Sequence, residues 1–497
     1  MLTAANDQQA AAYESQIRMR RSTQALSGAR NVLVMPDAGG RRVGSGGSSI
    51  QCLREVLRRE GAHADGAEEA LRDLRILIVH AGGDSRRLPA YSPCGKIFVP
   101  LPDESTIFDR LAPTFLGLPQ GVPGSGQVVI AAGDALLLFD PAEADFSQPG
   151  IAVLGATVEP EEAVRHGVLA ANPDGSVRLF LQKPSFAELE KSGAIGGDGQ
   201  CVLDIGVMSL DATSAAGILG VGETAGVQSA ISSEGIDLYR EICCALGTDT
   251  TFADYLASTR KSGSRIAEPV LAELYDRLRP IPLRLTALRE CHFLHFGSTR
   301  QLISSGNELV TRDCGAPPPD RTLSIASEIS PPGRLDATES WMEGCRVHAP
   351  LTLRGHNVIV GVDVNETLEM PEGACLDVSP GTGRDGERVW FIRYYGIDDS
   401  FKNSSYRGRP MADWARASIW DEDTPERERT LWNARIFPAE KEHPSYARWA
   451  WMLHLDQASA EQKAMFEAAD RYSAAEIALR IDHTAFHERR MTIRRQR

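Results

Sequence analysis

The residues best suited to chemistry lie in HAGGDSRRLPAYSPCGK, positions 80–96. An apolar run from Arg75 stops abruptly at Gly82 and Gly83. Without a Cβ, the backbone there can approach a ligand closely, and successive N–H groups can face phosphate oxygens. Ser85 adds a hydroxyl, Arg86 and Arg87 offer bidentate guanidinium contacts, and Lys96 adds a compact positive charge. Two glycines, a hydroxyl, two guanidiniums and an ammonium in so short a span suit a triphosphate. The competing reading is a turn with surface cations. The Pro89 and Gly95-Lys96 context favours the phosphate loop.

A second glycine-dense stretch, DAGGRRVGSGGSS, lies upstream after the apolar run NVLVMP. Asp134 follows the apolar run GQVVIAAGD, where a helix N-cap is the plain reading. Further along stand His166 beside a glycine, Lys183 before a proline and Asp204 within the strand-like run CVLDIGVMSL. Each has a structural alternative: a packed imidazole, a solvated strand end and a turn-pinning carboxylate.

The elements positioning these residues read as α/β. NVLVMP, RILIVHAGG and GQVVIAAGD are short apolar runs alternating with helical spacings at Ile50–Glu60 and Ile107–Leu116. That alternation predicts a doubly wound, mostly parallel, Rossmann-like sheet, whose strand C-termini are where such sheets bind ligands. Residues 1–30 read as a polar helical lead-in and 31–315 as the main domain. Asn172-Pro173-Asp174-Gly175 predicts a hairpin turn, and Asp237–Leu246 and Leu271–Leu278 read as helical. A Pro-rich stretch, CGAPPPDRT, marks a boundary. Residues 320–400 carry closely spaced short strands suited to a β-solenoid or small β-domain, and 405–497 read as a helical C-terminal region.

Composition narrows the class. Across 497 residues the net charge is −14, from 53 basic and 67 acidic residues, which argues against nucleic acid or an anionic membrane surface as partner. A small anion held by a few local cations remains compatible. The basic cluster Arg489, Arg490, Arg494, Arg495 and Arg497 reads as a solvated helix end rather than a binding patch. Nine scattered cysteines without a CxxC pair suggest neither disulfides nor structural zinc. No stretch approaches the about 18 apolar residues of a membrane span. A reduced, cytoplasmic enzyme is the expectation; the oligomeric state is not legible.

The phosphate loop, with Arg42-Val43-Gly44-Ser45-Gly46-Gly47-Ser48-Ser49 upstream, resembles the GDP-fucose pyrophosphorylase family, including the pyrophosphorylase half of bifunctional fucokinase/GDP-fucose pyrophosphorylases. Other pieces fall in the family's order: Gly133-Asp134, His166-Gly167-Val168, Gln182-Lys183-Pro184, Asp204-Ile205-Gly206, Asp237-Leu238-Tyr239, Phe296 to Arg300, and Tyr395-Gly396 with Phe401. The likeness spans about residues 30–440, and nothing resembles the sugar-kinase half. It implies a nucleotidyltransferase fold, GTP and a sugar 1-phosphate as substrates, and Mg2+ as cofactor. Arg86, Arg87 and Lys96 would be catalytic; Gly44, Gly46, Gly47, Ser48, Gly82, Gly83 and Ser85 would bind nucleotide. His166, Lys183 and Asp204 would contact sugar phosphate, and Asp134 the metal. Where the wider superfamily places a second metal-binding aspartate this chain has His295, so a two-metal site is not implied. Guanine and L-fucose rest on the resemblance alone. Two other classes stay open: a GHMP-type sugar kinase, prompted by the Gly44–Ser49 loop, and a non-catalytic nucleotide-sugar-binding or scaffold protein.

Overall fold

The computed structural model describes residues 1–21, 24–83, 85–411, 419–441 and 446–496. The chain divides into two compact units, each discontinuous in sequence. The first is Met1–Gly82 with Asp109–Phe293; the second is Gly83–Phe108 with Leu294–Arg497.

In the first unit the strands are β1 (Leu2–Ala4), β2 (Val34–Pro36), β3 (Arg75–His80), β4 (Gln127–Ala132), β5 (Ala135–Leu138), β6 (Ile151–Val158), β7 (Gly167–Ala171), β8 (Val177–Gln182), β9 (Cys201–Leu210) and β10 (Leu283–Leu288). The helices that matter for the site are α1 (Asp7–Arg20) and α2 (Gly44–Glu60). The main sheet runs β10-β6-β9-β4-β3-β1-β2, with the β7–β8 hairpin attached through β9. β3 is apolar throughout its centre because both faces are covered: Ile76 and Ile78 join the core that includes Leu53 and Leu57 of α2, while Val79 is buried on the other face.

The sheet is mixed rather than mostly parallel. β2, β1, β3 and β4 are parallel, but β9 runs antiparallel to both β4 and β6. The expected hairpin forms, with Gly175 N donating to Asn172 O at 2.9 Å. The lead-in over 1–30 is not separate from the domain. β1 pairs with both β2 and β3, and three residues are too few to show a strand period.

The second unit stacks short parallel strands in three ladders. Leu323, Trp341, Val358 and Cys375 share one register, Glu328, Arg346 and Asp363 a second, and Leu351 and Leu368 a third. Trp341, Val358 and Cys375 are fully buried, as are Met342, Ile359 and Leu376 beside them. The helix Thr299–Cys314 lies so close over the first ladder that a Cβ on Gly306 would come within 2.6 Å of Leu323 and 3.0 Å of Trp341. This helix therefore belongs with the ladders, and the compact units part at Phe293/Leu294 rather than near 315.

The C-terminal region is mixed rather than helical. Ala374–Thr382 pairs antiparallel with Arg388–Gly396, which pairs with Phe437–Glu440, which in turn pairs with Arg471–Tyr472. These last strands are short segments recruited by pairing to an existing edge, against helical propensity around them. Helices Ala460–Ala468, Ala474–Arg480 and His483–Gln496 complete the described residues. The basic cluster is only partly solvated: Arg494 and Arg495 are exposed, whereas Arg489 and Arg490 turn inward. Arg489 donates to Gly344 O at 2.7 Å and pairs with Asp363, Arg490 is buried, and Arg494 pairs with Glu104. Arg497 lies outside the described residues. No helix among the described residues is long and apolar enough to cross a membrane.

Because Ile359 is wholly buried in the ladder stack, Ile359→Ala should cost about 2–5 kcal/mol. Urea unfolding with a midpoint unchanged from wild type would contradict that packing.

Candidate functional site

In the first unit, the site grows from the C-terminal ends of β3 and β4. Gly133 N donates to His80 O at 2.9 Å, which holds the two strand ends level, and exposed Asp134 follows directly. On the antiparallel neighbour β9, Gly206 has φ 75°, and its N–H donates to Asp204 Oδ1 at 2.8 Å. A Cβ on Gly206 would lie 3.0 Å from Ala132 Cβ and 3.5 Å from the Tyr239 hydroxyl, so the backbones approach here because glycine permits it.

Burial sets the electrostatics. Asp204 is 8% exposed, and loss of water pushes its carboxyl up to about 7, with only the Gly206 N–H opposing. The Tyr239 phenol is held well above its usual range, first by burial and then by the fields of Asp204, Cys243, Asp134 and Asp237. Asp134 and Asp204, singled out in the sequence, therefore both act on one phenol.

The glycine-dense stretch is a helix start, not the loop expected. α2 begins at Gly44, whose φ is 76°; a Cβ there would fall 2.2 Å from Ile236 O. A Cβ on Gly46 would meet Ile242 at 2.9 Å, and Gly47 N donates to Ile236 O at 3.0 Å. These three glycines thus let the 236–242 segment press against the helix N-terminus. Ser45 Oγ accepts from Leu238 N at 2.8 Å and lies 3.2 Å from Asp237 Oδ2. Asp237 Oδ1 caps the next turn, accepting from Tyr239 N and Arg240 N. Ser48 Oγ donates to Asp37 at 2.8 Å. Ser49 Oγ donates to Ser45 O and lies 3.0 Å from His80 Nε2. With that hydroxyl proton used, the imidazole is the donor. Burial lowers His80 to about 4 against the opposing pull of Asp237, which keeps it neutral at pH 7.

His166 and Lys183 meet at the open end of the β7–β8 hairpin. Gly167 pairs with Gln182, and Lys183 N donates to His166 O at 2.9 Å. Lys183 is exposed with φ 48°. A Cβ on Gly167 would stand 3.4 Å from Asp204 Cβ, which ties the hairpin to the β9 carboxyl.

The chain leaves the first unit at Gly82, and the rest of the phosphate loop belongs to the second. Gly83 has φ 132° with open space where a Cβ would stand, and Asp84 lies outside the described residues. Ser85 is buried at φ 48°, its carbonyl accepting from Leu88 N. Arg87 O accepts from the N–H of Thr299 at 3.0 Å, which fixes the loop to the start of helix Thr299–Cys314. A Cβ on Gly297 would lie 3.3 Å from Gln301 Oε1, 3.5 Å from Lys96 Nζ and 3.9 Å from the Arg87 guanidinium. Two cations thus converge on a position without a side chain, a geometry that suits an anion. The Arg86 guanidinium lies 5.6 Å from the Trp432 ring centroid.

Sequence reasoning gave no role to His80, Asp237, Tyr239, Gly297 or Gln301. Asp237, Tyr239 and Gly297 stand in motifs already noticed, and His80 opens the phosphate loop. Gln301 carried no signal.

A mixed α/β unit with carboxylates at its strand ends, and a laddered β unit carrying a cation-bearing loop, define the class of protein. Residues 68–442 match the fucose pyrophosphorylase domain, and the chain belongs to that family. It is 25% identical to the bifunctional fucokinase/GDP-fucose pyrophosphorylase of Arabidopsis thaliana, over 96% of this chain and 50% of the relative. It is 24% identical to the L-fucokinase/L-fucose-1-P guanylyltransferase of Bacteroides fragilis, over 89% and 46%. It is also 24% identical to the fucose-1-phosphate guanylyltransferase of Mus musculus, over 81% and 74%. The chain spans about half the length of the two bifunctional relatives.

Asp204 supplies a stability test. Its folded-state pKa lies above the ordinary aspartate value, so the folded state holds the proton more tightly than the unfolded chain. The resulting stability is full below about pH 4 and is lost as pH rises through about 7. His80 works oppositely, between about 4 and 6.5. Asp204→Asn should therefore gain stability relative to wild type as pH rises from 5 to 8, by no more than about 4 kcal/mol. A difference in Tm between the two proteins that stays flat over that range would refute the buried-carboxyl assignment.

Proposed function

We propose that the protein is a fucose-1-phosphate guanylyltransferase, forming GDP-L-fucose and pyrophosphate from GTP and L-fucose 1-phosphate. The observation that carries this reading is the convergence of Arg87 and Lys96 on Gly297, within the residues matched to the fucose pyrophosphorylase domain. Relatives bearing the guanylyltransferase name supply the base and the sugar.

In this reading a phosphate oxygen of the sugar 1-phosphate attacks the α-phosphorus of GTP in line. A new P–O bond forms, the α–β phosphoanhydride breaks, and pyrophosphate leaves with the electron pair. The nucleophile is already anionic, so no general base is required. Catalysis consists of positioning and stabilisation of charge. Arg86, Arg87 and Lys96 hold the triphosphate, aided by the backbone at Gly82, Gly83 and Ser85. Gly44, Gly46, Gly47 and Ser48 shape the nucleotide site through the packing of the α2 start. Lys183 and His166 bind the sugar phosphate. Asp204, whose carboxyl burial raises, hydrogen-bonds a sugar hydroxyl.

Asp134 offers an exposed carboxylate of the kind that suits Mg2+, which takes its remaining ligands from phosphate oxygens and water. Among the described residues no group of three or more His, Cys, Asp or Glu side chains could hold a metal ion, so no all-protein cage is part of the reading. Bound there, Mg2+ would neutralise charge on the triphosphate. The three parallel ladders are read as a solenoid, and the nine free cysteines fit a reducing cytoplasm.

Purified protein should release pyrophosphate from GTP and L-fucose 1-phosphate with Mg2+, in preference to other nucleotide and sugar-phosphate pairs. Formation of ADP from ATP and free sugar would favour a kinase instead, and nucleotide binding without turnover a non-catalytic protein. Lys96→Ala should lose about 2–4 kcal/mol of transition-state stabilisation, read as kcat/KM. Near-wild-type kcat/KM in that variant would sink the role of Lys96.

A further inference from the structure

Tyr91 stands midway in sequence between Arg86 and Lys96, and its ring is fully buried. Its hydroxyl donates to Glu343 Oε2 at 3.3 Å and accepts from Trp341 Nε1 at 2.9 Å. Glu343 is itself wholly buried and also receives both Nε and Nη2 of Arg490, on the helix His483–Gln496. The Arg490 guanidinium sits 4.2 Å from the Phe486 ring and 6.0 Å from that of Tyr91. One turn further along the same helix, Arg494 pairs with Glu104, whose other oxygen accepts from Ala326 N at 3.2 Å. The C-terminal helix therefore grips the Gly83–Phe108 excursion at two separate points.

A buried ion pair is weak evidence of stabilisation, because desolvating both charges offsets most of their attraction. What this one supplies is direction. A carboxylate fixed by a two-pronged guanidinium leaves one lone pair aimed at Tyr91 and hence fixes the middle of the cation-bearing loop.

We propose that Glu343 and Arg490 are positioning residues for nucleotidyl transfer, with the C-terminal helix acting as a strap that sets the loop carrying Arg86, Arg87 and Lys96. This rests on the guanylyltransferase reading. Neither residue touches substrate; both act through Tyr91.

The test uses the full chain and the variants Tyr91→Phe, Glu343→Gln, Arg490→Met and Arg490→Lys. Arg354→Met, which breaks an exposed pair with Glu369, serves as control. Expected is a fall of about 10–100-fold in kcat/KM for GTP, with KM for L-fucose 1-phosphate within about twofold. Arg490→Lys should restore part of it. In a Lys96→Ala background the Arg490→Met loss should shrink, because the residue it positions is gone. Equal losses in both backgrounds, or unchanged kinetics in Tyr91→Phe, would overturn the proposal. Tyr91→Phe removes only a hydroxyl and keeps the test readable if the charge variants fail to fold. Hydrogen exchange over residues 85–98 supplies a readout that needs no turnover. Tyr91→Phe should raise it about tenfold while residues 341–343 stay protected, and unaltered exchange would likewise reject the strap. Absence of turnover in the wild type would overturn the guanylyltransferase reading instead.

Discussion

The cation-bearing loop depends on being held in place from elsewhere in its unit. Arg87 and Lys96 both come to Gly297. Backbone anchors fix the loop that carries them. Thr299 takes Arg87 O, Arg393 donates to Pro89 O at 2.9 Å, and Tyr91 is pinned from the first ladder. Arg393 is itself fully buried against Asp377, whose carboxyl is raised by burial and drawn back by the guanidinium. The laddered unit thus spends buried polar groups on fixing a loop. A hydrophobic core of the same volume would offer comparable stability with less geometric control.

A similar economy governs the first unit. The glycines that begin α2 are occupied by the segment Ile236–Ile242, and the serines beside them by Asp237, Asp37 and His80. Their contribution to a ligand would come through the placement of neighbours such as Tyr239. Two ionisable groups, the half-buried His80 and the buried Asp204, are shifted in opposite senses by the same cause, because loss of water disfavours whichever form is charged. Near neutral pH the interior beside the strand ends therefore carries less charge than its residue types suggest.

The sequence made legible whatever depended on residue type in a short window. β3, β4, the β7–β8 hairpin and helix Ile107–Leu116 lie where apolar runs and turn residues placed them. β1 was hidden because three residues have no period, and the strands at Phe437–Glu440 and Arg471–Tyr472 because only a distant partner makes them strands. The antiparallel course of β9 has no local signature at all. In the candidate site, the residue types of the cations, Asp134 and Asp204 stand plainly in the sequence. The meeting of Arg87, Lys96 and Gly297 does not, since Gly297 is supplied from far along the chain. The basic C-terminus was half legible for a related reason: Arg494 and Arg495 are exposed as charge predicts, while Arg489 and Arg490 meet carboxylates that no local pattern announces.

The second unit's discontinuity sets an order of events during synthesis. Tyr91 bonds to Trp341 across 250 residues, Arg393 to Pro89 across 304, and Arg494 to Glu104 across 390. A ribosome adding a few residues per second emits the loop well before any of these partners exists. Through that interval the loop is an unanchored, cation-rich excursion from a sheet that is itself still incomplete. Its anchors are made one after another, at Trp341, then Arg393, then Arg494. A chain stalled or clipped shortly before that point would keep every candidate substrate contact yet lack the last anchor.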